Sequence, residues 1–139
     1  MSRVFTIKIP IDGGKFEKIR LEQLSVDDAR RIVERLSGDN AEALYVDTGD
    51  DSEDGLSIMG GLNGKFVCEW LTPEGAGELL LQPGFDQISD NEEQAAESDC
   101  GWYPVEAIVD IETVTDVLVQ YVKNGSQPSA FNWRLCGGM

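Results

Sequence analysis

The N-terminal residues alternate between apolar and polar side chains. Phe5, Ile7 and Ile9 are large and apolar, and the positions between them are smaller or polar. A period of two is typical of a half-buried β-strand. Pro10 follows this run, so we expect the strand to end there.

Two later segments have the spacing of amphipathic helices. The first begins at Ser25 with Asp28 three residues on, an acidic relative of the capping box, and is predicted to end at Gly38. The second has Asp110 as its N-cap residue and Gly125 as its terminator. The predicted inward positions are Val26, Ala29, Ile32, Val33 and Leu36 in the first helix, and Ile111, Val114, Val117, Leu118, Tyr121 and Val122 in the second.

The middle of the chain is predicted to be an antiparallel meander. Residues 44–46 read as a strand that runs into an acidic loop over 47–55. The segments 56–62 and 65–71 are joined by Asn63-Gly64, a dipeptide that suits a two-residue type I′ turn. A turn at 73–75 then leads into a strand over 78–82.

The segment before the second helix lacks such a pattern. Residues 83–99 carry six acids with little apolar material, and we expect a long exposed loop with a short helical turn around 92–97. Residues 102–109 resemble a strand in which Pro104 favours an edge position or a break. Residues 131–135 are predicted to form the last strand. The order predicts an α+β fold, a mostly antiparallel sheet of about five to seven strands with two helices packed on one face.

Length and composition are those of one soluble domain over residues 1–139. The hydrophobic fraction of 41% suffices for a core. The N-terminus has Lys8 inside its short apolar run and does not resemble a signal peptide, and no stretch reaches the roughly 20 apolar residues of a membrane span. Cys68, Cys100 and Cys136 are odd in number and form no Cys-x-x-Cys pair. We expect a reducing, cytoplasmic location.

Acidic residues are concentrated after residue 36. Residues 1–36 carry eight Lys and Arg against six Asp and Glu, whereas the rest carry three against twenty and leave the chain at a net charge of −15. So negative a surface repels nucleic acid and anionic membranes and accelerates encounters with basic proteins. The expected partner is a basic protein.

The chain contains no histidine, which excludes Ser-His and Cys-His nucleophile systems and the common zinc sites. Hydrolysis by a pair of carboxylates remains formally open, but the acids lie in polar segments where they are solvated rather than buried. We therefore expect no enzyme and no cofactor.

The acidic run after residue 49 partly resembles a calcium loop. Asp50, Ser52, Asp54 and Gly55 match EF-hand positions one, three, five and six, but position twelve is Gly61 and the flanks read as strands. We expect no metal there. The run is either a solvated loop or a contact surface for a basic partner.

Three tryptophans occur without a basic stripe beside them, which argues against stacking on nucleobases. Trp70 and Trp133 are predicted core residues. For Trp102, which follows the acidic loop, core packing is favoured and an interface anchor is the alternative. The candidate partner-binding residues are Asp47, Asp50, Asp51, Glu53, Asp54, Glu92, Glu93, Glu97 and Trp102.

The C-terminal third resembles a known family. Its order is Trp-Tyr-Pro-Val-Glu at 102–106, Val-Asp-Ile-Glu at 109–112, an apolar helix, Gly-Ser-Gln-Pro at 125–128 and Phe-Asn-Trp at 131–133. It is similar to the first-numbered immunity-protein family of bacterial polymorphic toxin systems, and the likeness extends over about residues 25–135. The resemblance implies a cytoplasmic protein that binds and blocks a toxin domain, commonly a nucleic-acid deaminase.

Two functions are therefore expected from different classes. The first is an immunity protein that occludes a toxin's active site with acidic loops. The alternative is a cytosolic adaptor domain that binds a basic protein without any toxin.

Overall fold

The computed structural model describes residues 4–11, 15–36, 43–47, 55–62, 64–71, 77–95, 102–125 and 127–135, and the structural statements below concern these residues. The strands are β1 (Phe5–Ile11), β2 (Lys15–Leu21), β3 (Ala43–Asp47), β4 (Gly55–Leu62), β5 (Lys65–Leu71), β6 (Gly77–Leu80), β7 (Glu92–Gln94), β8 (Trp102–Pro104) and β9 (Trp133–Leu135). The helices are α1 (Val26–Glu34) and α2 (Ile111–Asn124), and a short 3-10 helix spans Val105–Ala107.

Seven strands form one antiparallel sheet in the order β2-β1-β3-β4-β5-β6-β9, and β7 pairs with β8 in a separate two-stranded sheet. Both helices contribute to the core that lies on one face of the large sheet. The predicted α+β fold is therefore confirmed.

Three of the four helix ends are where the sequence predicts them, whereas α1 ends at Glu34 with Arg35 as its C-cap, four residues before the predicted Gly38. Ser25 caps α1, its hydroxyl accepting the Asp28 N–H at 3.1 Å. Asp110 caps α2, its carboxylate accepting the Thr113 N–H at 2.9 Å. Gly125 ends α2 with φ 73°, a left-handed conformation that glycine adopts without steric cost. The predicted terminator of the first helix, Gly38, lies outside the described residues.

Aromatic rings occupy the centre of this main core. The ring of Tyr121 lies 5.2 Å from those of both Phe5 and Trp70, and Trp70 lies 6.4 Å from Trp133, all with edge-to-face geometry. The indole N–H of Trp133 donates to the carbonyl oxygen of Pro128 at 2.9 Å. The predicted core positions of Trp70 and Trp133 are confirmed.

A second, smaller core lies on the opposite face of the sheet. Val67 and Leu79 alternate with Phe66 and Leu80 of the main core, so their side chains point away from the helices. Chain from the segments 81–95 and 102–108 covers them. The buried members of this cluster are Val67, Leu79, Leu81, Ala95, Ala107 and Ile108.

The predicted hairpin is confirmed. Leu62 pairs with Lys65 across a two-residue turn, and Gly64 in that turn has φ 75°. Asn63 lies outside the described residues. The ladder is irregular between Gly60 and Leu62.

Several predicted boundaries were wrong. Strand β1 continues past Pro10 to Ile11, because β3 pairs only with Thr6–Lys8 and Pro10 lies where the strand has one neighbour. Strand β2 was not predicted.

The predicted long loop over 83–99 was also wrong in part. Residues 92–94 form β7 rather than a loop or helical turn, and Ala95 is fully buried, because β8 and the main sheet supply the contacts that the sequence lacks. The predicted strand over 102–109 ends at Pro104, where the 3-10 helix begins.

Candidate functional site

Strands β7 and β8 form a small two-stranded ribbon, called here the β7–β8 ribbon. Glu93 pairs with Tyr103, and on either side of this pair Glu92 lies opposite Pro104 and Gln94 opposite Trp102. Paired residues share a face of a sheet, and successive residues alternate between faces. Glu93 and Tyr103 therefore occupy one face of the ribbon, and Glu92 and Trp102 occupy the other.

The face with Glu93 and Tyr103 is turned toward the main sheet. The Lys65 ammonium donates to the Glu93 carboxylate at 2.8 Å, and the Tyr103 hydroxyl donates to the sulfur of Met59 at 3.1 Å. Ala95, which follows β7, is buried in the second core. These contacts hold the ribbon on strands β4 and β5.

The opposite face is turned toward solvent. Trp102 is 54% exposed, the largest hydrophobic side chain with such exposure among the described residues, and Glu92 beside it is exposed as well. Core packing was the favoured interpretation of Trp102, and it was wrong, because the β8 register directs Tyr103 inward and Trp102 outward. Its role as an interface anchor stays a prediction.

The chain leading to the ribbon is strongly acidic. Residues 77–95 contain five Asp and Glu and no Lys or Arg. Asp86, Asp90 and Glu92 are all exposed. On the solvent-facing side of the ribbon, a large aromatic ring and the negative charge of Glu92 therefore share one face.

A buried carboxylate fastens this acidic chain. Glu106 is 8% exposed, and its side chain accepts the Ser89 N–H at 3.1 Å. Its carbonyl oxygen accepts the Gln82 N–H at 2.8 Å. Hydrogen bonds from the Ser89 hydroxyl and backbone N–H hold the pKa of Glu106 below its ordinary value. A role for Glu106 was not predicted from the sequence. Its position as the one charged residue in the apolar run 105–109 could have indicated that it is buried.

Asp47 lies elsewhere in the sheet. It ends β3, and its carboxylate lies 3.4 Å from the ammonium of Lys8 on β1. The structure thus brings Glu92, Glu93 and Trp102 together on the ribbon and places Asp47 apart from them on β3. The remaining predicted site residues lie outside the described residues: Asp50, Asp51, Glu53, Asp54 and Glu97.

Among the described residues there is no metal-binding cluster, no reactive thiol and no membrane-spanning helix. Among them, no three Cys, Asp or Glu side chains are grouped to hold a metal ion. The thiol of Cys68 is fully buried, and burial raises its pKa, so it stays protonated. Within the described ranges, neither helix combines the length and apolar character needed to cross a bilayer.

Comparisons with protein-family models, with curated proteins and with solved structures find no match to this chain.

Proposed function

We propose that this chain is a non-enzymatic immunity protein that acts in the cytoplasm, binds a cognate toxin domain and occludes its active site without a cofactor. The observation that carries the proposal is the solvent-facing side of the β7–β8 ribbon, where exposed Trp102 and exposed Glu92 occupy the same face. Tryptophan is among the residues that most often dominate binding energy in protein interfaces.

The negative charge of the molecule favours a cationic protein as its partner. At a net charge of −15, with exposed acids at Asp86, Asp90 and Glu92, the surface complements a cationic protein. A toxin that acts on nucleic acid needs basic side chains to bind phosphates. An acidic inhibitor competes with nucleic acid for those side chains, so charge complementarity and inhibition have the same origin.

The ribbon is also held in place before any partner arrives. The ion pair between Lys65 and Glu93 and the hydrogen bond from Tyr103 to Met59 fix its inner face to the sheet. A surface that is already ordered loses less conformational entropy on binding. The ribbon is therefore suited to tight inhibition.

Co-expression with a candidate toxin domain, sought among the genes next to this one, tests the proposal. We expect Trp102→Ala to weaken binding by about thirtyfold, or about 2 kcal/mol, and to reduce protection of the cell. Tyr45→Ala is the matched control, because Tyr45 is 39% exposed but lies on β3. Glu92→Lys is compared likewise with Glu34→Lys, an exposed acid at the end of α1.

The variants must keep the wild-type melting temperature for the comparison to hold. Full protection by both Trp102→Ala and Glu92→Lys would remove the ribbon from the contact. Binding of a basic protein without protection from any toxin would instead support the adaptor alternative.

A further inference from the structure

A groove with a volume of about 300 Å³ lies beside the ribbon. Its walls come from the turn of the β4–β5 hairpin, from residues 82–83, and from residues 108–110 and Thr113 at the start of α2. Pro83 and Ile108 give it apolar surface, and Asp110 and Thr113 give it polar groups. The volume is at the lower limit of small-molecule pockets, so the groove has room for one long side chain.

Among the described residues that line the groove, the only cation is already paired. The lining contains Lys65, and its ammonium lies 2.8 Å from the Glu93 carboxylate. The side-chain amide of Gln82 donates to the carbonyl oxygens of Val105 and Ile108. The donors of Lys65 and Gln82 are thus directed at other protein groups.

The carboxylate of Asp110, which lines the groove, can accept further hydrogen bonds. Asp110 is exposed and accepts the Thr113 N–H at 2.9 Å, whereas a carboxylate offers about four acceptor sites. Hydrogen bonds from Thr113 hold the pKa of Asp110 below its ordinary value, so the group stays charged. Its full negative charge exceeds the roughly half positive charge of the helix N-terminus. The site therefore favours a cation over an anion.

We propose that this groove binds an arginine side chain presented by a protein partner. The aliphatic stem packs against Pro83 and Ile108, and the guanidinium donates to the carboxylate of Asp110. Arginine is favoured over lysine because its planar fork of donors matches a carboxylate and is more weakly hydrated than an ammonium. If the partner is the basic toxin of the proposed function, the groove supplies a second contact in addition to the ribbon.

The test uses a peptide and needs no toxin. Acetyl-Gly-Arg-Gly-amide is titrated into the full chain and followed by ¹H–¹⁵N NMR, beside the same peptide with citrulline, a neutral isostere of arginine. We expect the arginine peptide to shift the amides of Gly64, Lys65 and residues 108–113 with a millimolar Kd. The citrulline peptide should bind at least tenfold more weakly.

Two matched variants test whether the Asp110 carboxylate binds the guanidinium. Asp110→Asn removes the charge but keeps a good helix cap, so binding should fall at least tenfold, while the melting temperature should fall only slightly through the lost interaction of the charge with the helix N-terminus. Glu112→Gln removes a carboxylate two residues on that pairs with Arg30 at 2.9 Å, and binding should stay as in the wild type.

Equal binding of the two peptides, or unchanged binding to Asp110→Asn, would overturn the proposal. Failure of the proposed function would appear separately, in the co-expression of Trp102→Ala with the toxin.

Discussion

The carboxylate of Glu106 accepts the backbone N–H of Ser89 across a separation of 17 residues. The carbonyl oxygen of Glu106 also accepts the Gln82 N–H, so one residue of the 3-10 helix fastens both ends of the segment 82–89. The preceding residue of that 3-10 helix, Val105, donates its N–H to the carbonyl oxygen of Asn91, just before the ribbon begins. The position of the ribbon therefore depends on Glu106.

The first prediction concerns pH and Glu106. Because its pKa is lowered in the folded chain, its contribution to stability is present above the ordinary value of 4.5 and is lost as pH falls through the folded pKa. We expect hydrogen exchange of the Ser89 amide, corrected for intrinsic rates, to accelerate in that window below pH 4.5.

Glu106→Gln keeps an acceptor without the charge and should remove this pH dependence, while Glu106→Ala should speed exchange at neutral pH. The Gly125 amide, which donates to the Tyr121 carbonyl oxygen at the far end of α2, serves as the reference. Equal protection of Ser89 in Glu106→Ala and wild type would contradict the assigned role.

The helices could be predicted because their signals are local. Ser25, Asp110 and Gly125 act within one turn of the helix ends that they define. The Asn63-Gly64 hairpin is equally local. Strand β2 was missed because it is an edge strand rich in charged residues. Of its described side chains, Ile19 and Leu21 are the ones that pack against the core.

The ribbon could not be predicted from its own residues. Glu92–Gln94 contains no apolar side chain, and it becomes a strand through pairing with β8 and the ion pair of Glu93 with Lys65. The exposure of Trp102 depends on register. Trp102 and Tyr103 are adjacent aromatics, and a shift by one residue would exchange which of them points inward.

The second prediction compares two glycines of the hairpin. Gly60 has φ 122°, and a Cβ atom there would lie 2.4 Å from the Lys65 carbonyl oxygen and 3.1 Å from that of Ala95. Gly64 has φ 75° with open space around it. We expect Gly64→Ala to cost about 1–2 kcal/mol through backbone strain and Gly60→Ala to cost more, because steric overlap adds to the strain.

Urea unfolding of both variants measures the difference. A Gly60→Ala variant as stable as Gly64→Ala would contradict the close approach of the Lys65 and Ala95 carbonyl oxygens to Gly60.

The third prediction concerns Trp133, which is buried and bonded to the Pro128 carbonyl. Trp133→Ala should cost about 3–5 kcal/mol because it opens a cavity beside Trp70. Trp133→Phe keeps a ring but leaves the Pro128 carbonyl unpaired, at a cost of about 1–3 kcal/mol.

Trp102→Ala is the matched control, since it removes the same side chain from an exposed position and should change stability by no more than about 0.5 kcal/mol. Guanidinium chloride unfolding of the three variants checks the ranking. If Trp102→Ala cost as much as Trp133→Ala, the ribbon surface would be a structural contact rather than a free one.

The last prediction concerns the kinetics of binding to the cognate toxin domain. Opposite net charges accelerate the encounter, and this attraction reaches about 30 Å at 0.01 M salt but only about 8 Å at 0.15 M. We therefore expect the association rate constant to fall steeply between these salt concentrations. The dissociation rate constant should change little, because it depends on the buried centre of the interface.

Stopped-flow mixing of wild type, Glu92→Lys and Trp102→Ala separates the two contributions. Glu92→Lys should lower the association rate constant and flatten its salt dependence, because it changes a charge at the edge of the contact. Trp102→Ala should raise the dissociation rate constant instead, because it removes the aromatic anchor. If the wild-type association rate constant is the same at both salt concentrations, the acidic surface does not guide binding, and its charges would serve solubility alone.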